Sequence, residues 1–156
     1  MNSQRNKKKV SLTSEDISVN RGVVTKISVV NVDKPDVVHI NLSFFAIPKK
    51  QMRPVEYEKS VEVIKEHTRQ SFLSYIRKNR DLFNRRHIME LNFSTANLRK
   101  GYNKSVKFSL YLKQNAALGF KELQRKVKGT IKGTVADITD NIRKNGFICS
   151  KQRVGD

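Results

Sequence analysis

One cysteine, Cys149, stands in 156 residues, which leaves neither an internal disulfide nor a cysteine-rich zinc site. No run approaches the roughly 20 apolar residues that a helix needs to cross a bilayer. The first twenty residues, Met1 to Asn20, are polar and carry Arg5, Lys7, Lys8 and Lys9 with no apolar stretch behind them, so they match neither a secretory signal nor a membrane anchor. The motifs HExxH, GxGxxG and GxSxG are missing, and so are a phosphate-binding loop and a histidine–glutamate pair with accompanying cysteines. No metal or small-molecule cofactor is expected. Reducing chemistry and the lack of a leader point to a cytoplasmic chain, nuclear if the cell is eukaryotic, and not a secreted one.

Acidic residues are the other scarcity: 14 Asp and Glu face 32 Lys and Arg, for a net charge of +18. Such self-repulsion is usually tolerated because a polyanion neutralises it, so the expected partner is nucleic acid. The excess is uneven. Residues 1–76 hold 13 cations and 8 acids, net +5, while residues 77–156 hold 19 and 6, net +13.

The apolar pattern predicts an α+β chain. After a flexible basic tail over residues 1–20, a β-branched run from Gly22 to Asn31 and an alternating run through Val38, Ile40, Leu42 and Phe44 form a hairpin about Asp33-Lys34-Pro35-Asp36. Pro54 suits a helix start, and Tyr57, Val61, Ile64, Thr68, Phe72 and Tyr75 give one apolar stripe at steps of three and four. Alternation returns at Met89, Leu91 and Phe93 and again from Val106 to Leu112, predicting a second hairpin. A last stripe runs from Phe120 through Leu123, Val127, Ile131, Ile138 and Ile142, with Gly129 and Gly133 as places where the helix breaks or kinks. The expected domain, residues 21–156, is therefore an antiparallel sheet of about four strands with two long helices on one face, in a β-β-α-β-β-α order.

Three surfaces carry candidate chemistry. The sheet face away from the helices should display Lys26, Ser28, His39, Asn41, Ser43, Asn92, Ser94, Lys107, Ser109, Tyr111 and Lys113. On such a face cations meet phosphates, amides and hydroxyls meet sugars and base edges, and Tyr111 offers a ring for stacking. The same residue types are also what solvent asks of an exposed strand. A second cluster is Arg77, Lys78, Arg80, Arg85 and Arg86 bracketing the helix-to-strand turn, with Arg99, Lys100, Lys104 and Lys107 beside Tyr102 at the tip of the second hairpin. Third, Lys121, Arg125, Lys128 and Lys132, at steps of 4, 3 and 4, line one ridge of the last helix.

These residues predict a non-catalytic nucleic-acid-binding protein that works mainly through phosphate contacts. Few aromatic residues, Phe45, Tyr102 and Tyr111, fall where a base can stack, which favours double strands; DNA is the expected partner ahead of RNA. The alternative is a basic assembly protein acting as a homo-oligomer or on an acidic protein partner. A less favoured alternative is a metal-independent ribonuclease using His39, His87, Lys107 and Tyr111. Glu58, Glu62 and Glu66 share a helix face but spread over about 12 Å, too far to hold one cation together.

Overall fold

A computed structural model of the chain describes the backbone of residues 13–20 and residues 23–29, 37–97, 103–114 and 118–148, Arg85 and Met89 by backbone alone. In chain order the elements are β1 (Thr13–Asn20), β2 (Val23–Val29), β3 (Val37–Pro48), α1 (Pro54–Lys78), β4 (Phe83–Asn97), β5 (Lys104–Gln114), α2 (Phe120–Thr130), α3 (Lys132–Lys144) and β6 (Phe147–Ile148). The strands form one antiparallel, curled sheet in the order β1-β2-β3-β5-β4, with the short β6 pairing the end of β3. The α+β class and the two hairpins agree with the sequence pattern. No helix among the described residues is long and apolar enough to cross a membrane.

Two expectations need correction. In place of a flexible tail reaching Asn20, residues 13–20 form a strand that pairs along β2 from Thr13↔Val29 to Asn20↔Val23. Glu15 and Asp16 hide it in the sequence, and a register shift between Asp16 and Ser18 breaks the period-2 alternation that marks a strand. As an edge strand it gains backbone hydrogen bonds from β2 without supplying a strong apolar pattern of its own, so tertiary pairing overrides its weak propensity. Residues 1–12 lie outside the described residues. The sheet thus exceeds four strands, and the last helical stripe is two helices, which meet at Ile131 between the two suspect glycines.

The α1 start follows from Pro54 at its first turn and from Glu56, whose Oε1 accepts from the Arg53 backbone N–H and Nε, each at 3.1 Å. Arg77 and Lys78 close it at the negative end of the helix dipole. At the other end of the fold α3 stops at Gly146, whose φ of 94° is open chiefly to glycine; a Cβ there would stand 2.8 Å from Met52 Cε.

One sheet face meets the helices. Ile27, Val38, Ile40, Leu42, Phe44, Phe108, Leu110 and Leu112 are fully or almost fully buried beneath Val61, Ile64, Phe72, Leu123, Val127, Val135 and Ile138. Phe72 stacks on Phe108 with centroids 5.2 Å apart, joining α1 to the sheet centre. The buried Tyr57 hydroxyl donates to the Ala46 carbonyl at 2.6 Å and accepts the Lys104 N–H at 2.8 Å, which fixes α1 across the β3–β5 pair. Among the described residues the opposite sheet face carries no helix.

Candidate nucleic-acid interface

Strand alternation and register decide what the uncovered face displays. Because Ile40 pairs with Leu110 and Leu42 with Phe108 on the buried side, the residues between them point the other way. His39 pairs with Tyr111, Asn41 with Ser109 and Ser43 with Lys107, while Ser28 flanks His39 and Lys26 flanks Asn41 on β2. On β4, Glu90, Asn92 and Ser94 continue these rows opposite Tyr111, Ser109 and Lys107. The whole set expected for the open face therefore falls on it. Its centre is half-buried and its lysines, Lys26, Lys107 and Lys113, are exposed. Among the side chains described on this face, Glu90 is the single carboxylate.

The aromatic pair behaves differently from a stacking platform. His39 and Tyr111 lie ring on ring, 4.3 Å between centroids and 4° between planes, so each covers one face of the other. They present edges to a ligand, with one ring face each left over. His39 Nδ1 is 3.5 Å from Ser28 Oγ, and its buried Nε2 has no partner among the described residues. Burial, and secondarily the Lys107 charge, hold His39 below its ordinary pKa of 6.5, so the ring resists protonation. Beside it Asn41 Nδ2 donates to Ser109 Oγ at 3.1 Å, and a small hollow of about 70 Å³ opens between Ser43, Phe45 and Ser105.

The other candidates separate. Lys104 has the parity of Val106 and Phe108, so it points to the helix side, where its Nζ lies 3.5 Å from Glu58 Oε2 and donates to Asn97 Oδ1 at 3.2 Å. It does not join Lys107. Arg86 is exposed on β4 and Arg85 lies beside it. Arg99, Lys100 and Tyr102 lie outside the described residues. Lys121, Arg125 and Lys128 on α2 and Lys132 at the start of α3 are all exposed, but on the helix layer and so away from the open sheet face. Of the four residues weighed for ribonuclease work, His39, Tyr111 and Lys107 share the face; β5 lies between His39 and the His87 strand, a span of about two strand spacings, near 9.6 Å.

One polar feature escaped the sequence reading. A groove of about 590 Å³ between α1 and the α2–α3 bend is lined by His67, Ser71, Tyr75, Thr130 and Asp137. Asp137 Oδ2 accepts from Ser71 Oγ at 2.7 Å and lies 2.8 Å from His67 Nε2. The Ser71 hydrogen bond, and after it His67, hold the Asp137 carboxyl below the usual range. The carboxylate stands between hydroxyl and imidazole, an order that ties helices together and leaves the serine without a histidine base. Nearby, Thr130 Oγ1 is committed to the Lys126 and Val127 carbonyls at 3.0 and 3.2 Å, so the Tyr75 hydroxyl donates to it at 2.7 Å. Burial pushes Tyr75 up to about 12. The i, i+4 spacing of His67 and Ser71 was visible in the sequence; the arrival of Asp137 was not. Among the described residues no group of three or more His, Cys, Asp or Glu side chains gathers to hold a metal.

Comparison with protein-family models, with curated proteins and with solved structures finds no match to this chain.

Proposed function

We propose that the chain binds nucleic acid, without catalysis, on the uncovered face of its sheet. The observation that carries this reading is the make-up of that face: Lys26, Lys107 and Lys113 around a half-buried floor of amides, hydroxyls and the His39–Tyr111 pair, against one described carboxylate. Lys107 and Lys113 have no ion-pair partner among the described residues, and the whole chain carries +18. Phosphate contacts then supply most of the affinity, while Asn41, Ser109, Asn92 and Ser94 reach sugars and base edges. Duplex DNA is the favoured ligand. The aromatic rings spend a face on each other, which weakens the base-stacking mode of single-strand binders.

The test is a titration of labelled single- and double-stranded DNA and RNA at several salt concentrations. Submicromolar binding at low salt, strongest for duplex DNA and falling steeply with salt, is expected. Salt-insensitive binding, or none, refutes the reading.

A second reading, self-assembly, draws on the outer edge of β4, which pairs with no further strand among the described residues. This strand of 15 residues closes one side of the sheet, and an unpaired edge is a template for another copy. Sedimentation at high salt after nuclease treatment separates the two: an oligomer that persists favours assembly.

A further inference from the structure

We propose that the chain joins two duplex segments, holding one on the open sheet face and a second on the ridge Lys121, Arg125, Lys128 and Lys132. This rests on the open-face reading and adds a second, independent site to it.

The ridge is a built surface. At 100° per residue along α2, Phe120, Leu123 and Val127 form the stripe turned to the core, and Lys121, Arg125 and Lys128 gather within about 60° of one another, centred about 130° away from that stripe. Lys132 follows as the first residue of α3, one residue past the bend, where Ile131 N–H donates to the Val127 carbonyl at 2.9 Å and Val135 N–H to the Ile131 carbonyl at 3.0 Å. Lys121 and Lys128 are about 10.5 Å apart along the α2 axis, the length of several phosphates of a duplex. Arg125 is held by Glu122 at 2.7 Å, an exposed pair that a phosphate can replace; Lys121, Lys128 and Lys132 have no ion pair among the described residues. Gly129 and Gly133 flank the ridge with open space where a Cβ would be, so nothing on that flank holds a backbone off.

Position separates the two sites. The ridge lies on the helix layer, and the open face lies on the far side of the sheet beneath it, at least one helix diameter of about 10–12 Å away. Duplex DNA is stiff over about 150 base pairs. A segment seated on Lys107 and Lys113 therefore does not curl round the sheet edge to reach Lys128.

The experiment is a capture assay: duplex DNA on beads, the full chain, then a labelled second duplex in solution, with sedimentation to report the chain's own association state. The wild-type chain captures the second duplex. The variant K121Q/R125Q/K128Q/K132Q holds the bead duplex but captures at least about tenfold less of the second, a loss matching several phosphate contacts at moderate salt. The open-face variant K26Q/K107Q/K113Q gives the mirror result through the ridge. An unchanged circular dichroism melt for both variants shows that they fold. Capture that survives the ridge substitutions overturns the proposal, because copies of the chain then do the joining. Wild-type binding of the bead duplex without capture overturns it as well, while leaving the open-face reading intact. No binding of the bead duplex at all overturns both.

Discussion

Neutralising the open face gives the most direct measure of whether it meets phosphates. In a chain whose ridge cations are already glutamine, so that only the sheet is read, Lys26, Lys107 and Lys113 are replaced by Gln. Each phosphate neutralised on duplex DNA contributes about −0.9 to the slope of log K against log salt, so three contacts amount to about 2.7. Lys26 is already engaged within the chain, which discounts that lysine and sets the expected flattening between about 1.8 and 2.7. Between 50 and 200 mM salt that difference is roughly a 12- to 40-fold loss of affinity that the parent shows and the variant does not. Fluorescence anisotropy with one short labelled duplex at four salt concentrations measures it. Lys104→Gln is the control, since its side chain is 17% exposed and faces Glu58 on the helix side. It should leave the slope alone and cost stability by no more than about 1 kcal/mol. A triple variant with the parent slope, or a Lys104 variant that flattens it equally, refutes the assignment.

Deleting residues 1–20 removes β1 and its ladder to β2, so the melting temperature should drop by about 2–4 °C for each kcal/mol lost; an unchanged melt would show that β1 contributes nothing. Tyr57→Phe strands the Ala46 carbonyl and the Lys104 N–H, a cost of about 1–3 kcal/mol in urea denaturation, and a change below about 0.5 kcal/mol would contradict their dependence on that hydroxyl. Because the folded His39 pKa is lowered, the unfolded chain takes up the proton first as pH falls below 6.5, and the stability present above that value is lost down to the folded pKa. Lys26, Lys107, Lys113, Glu90 and Tyr111 share its face, and a phosphate arriving there raises the His39 pKa again. DNA affinity should therefore rise as pH falls from about 7.5 to 5.5 and do so less in His39→Asn; equal pH dependence in the two chains would rule His39 out of the interface.

Much of this fold is legible because its strongest elements bury one face. The stripe from Tyr57 to Tyr75 lies on α1, and the alternations through Val38 to Phe44 and Val106 to Leu112 are the two central strands. What escapes is held by pairing rather than by its own pattern. β1 carries two adjacent acids and a bulge, and the two residues of β6 are too few to alternate. The break at Ile131 is anticipated by Gly129 and Gly133, but which residue takes the bend is decided by the packing of α2 and α3 against the sheet.

The site is legible to the extent that residue parity decides it. Every open-face residue drawn from alternation stands on that face, whereas Lys104, grouped with Arg99 and Lys100 by sequence neighbourhood, has the parity of the core and turns to α1. Parity cannot foresee the His39–Tyr111 stack, since that depends on how β3 is registered on β5. The register in turn is pinned from the opposite face: slipping β5 by one residue would send Phe108, Leu110 and Leu112 into solvent and bring Lys107, Ser109 and Tyr111 beneath Phe72. Each buried side chain exposed by such a slip forfeits about 1.5–3 kcal/mol, and each lysine driven inward costs more. The apolar core thus sets the interface geometry without touching a ligand. A cavity such as Phe108→Ala should loosen the alignment of Lys107 and Tyr111 as well as lower stability, so the variant's melting temperature and its DNA affinity at a temperature well below the melt should fall together.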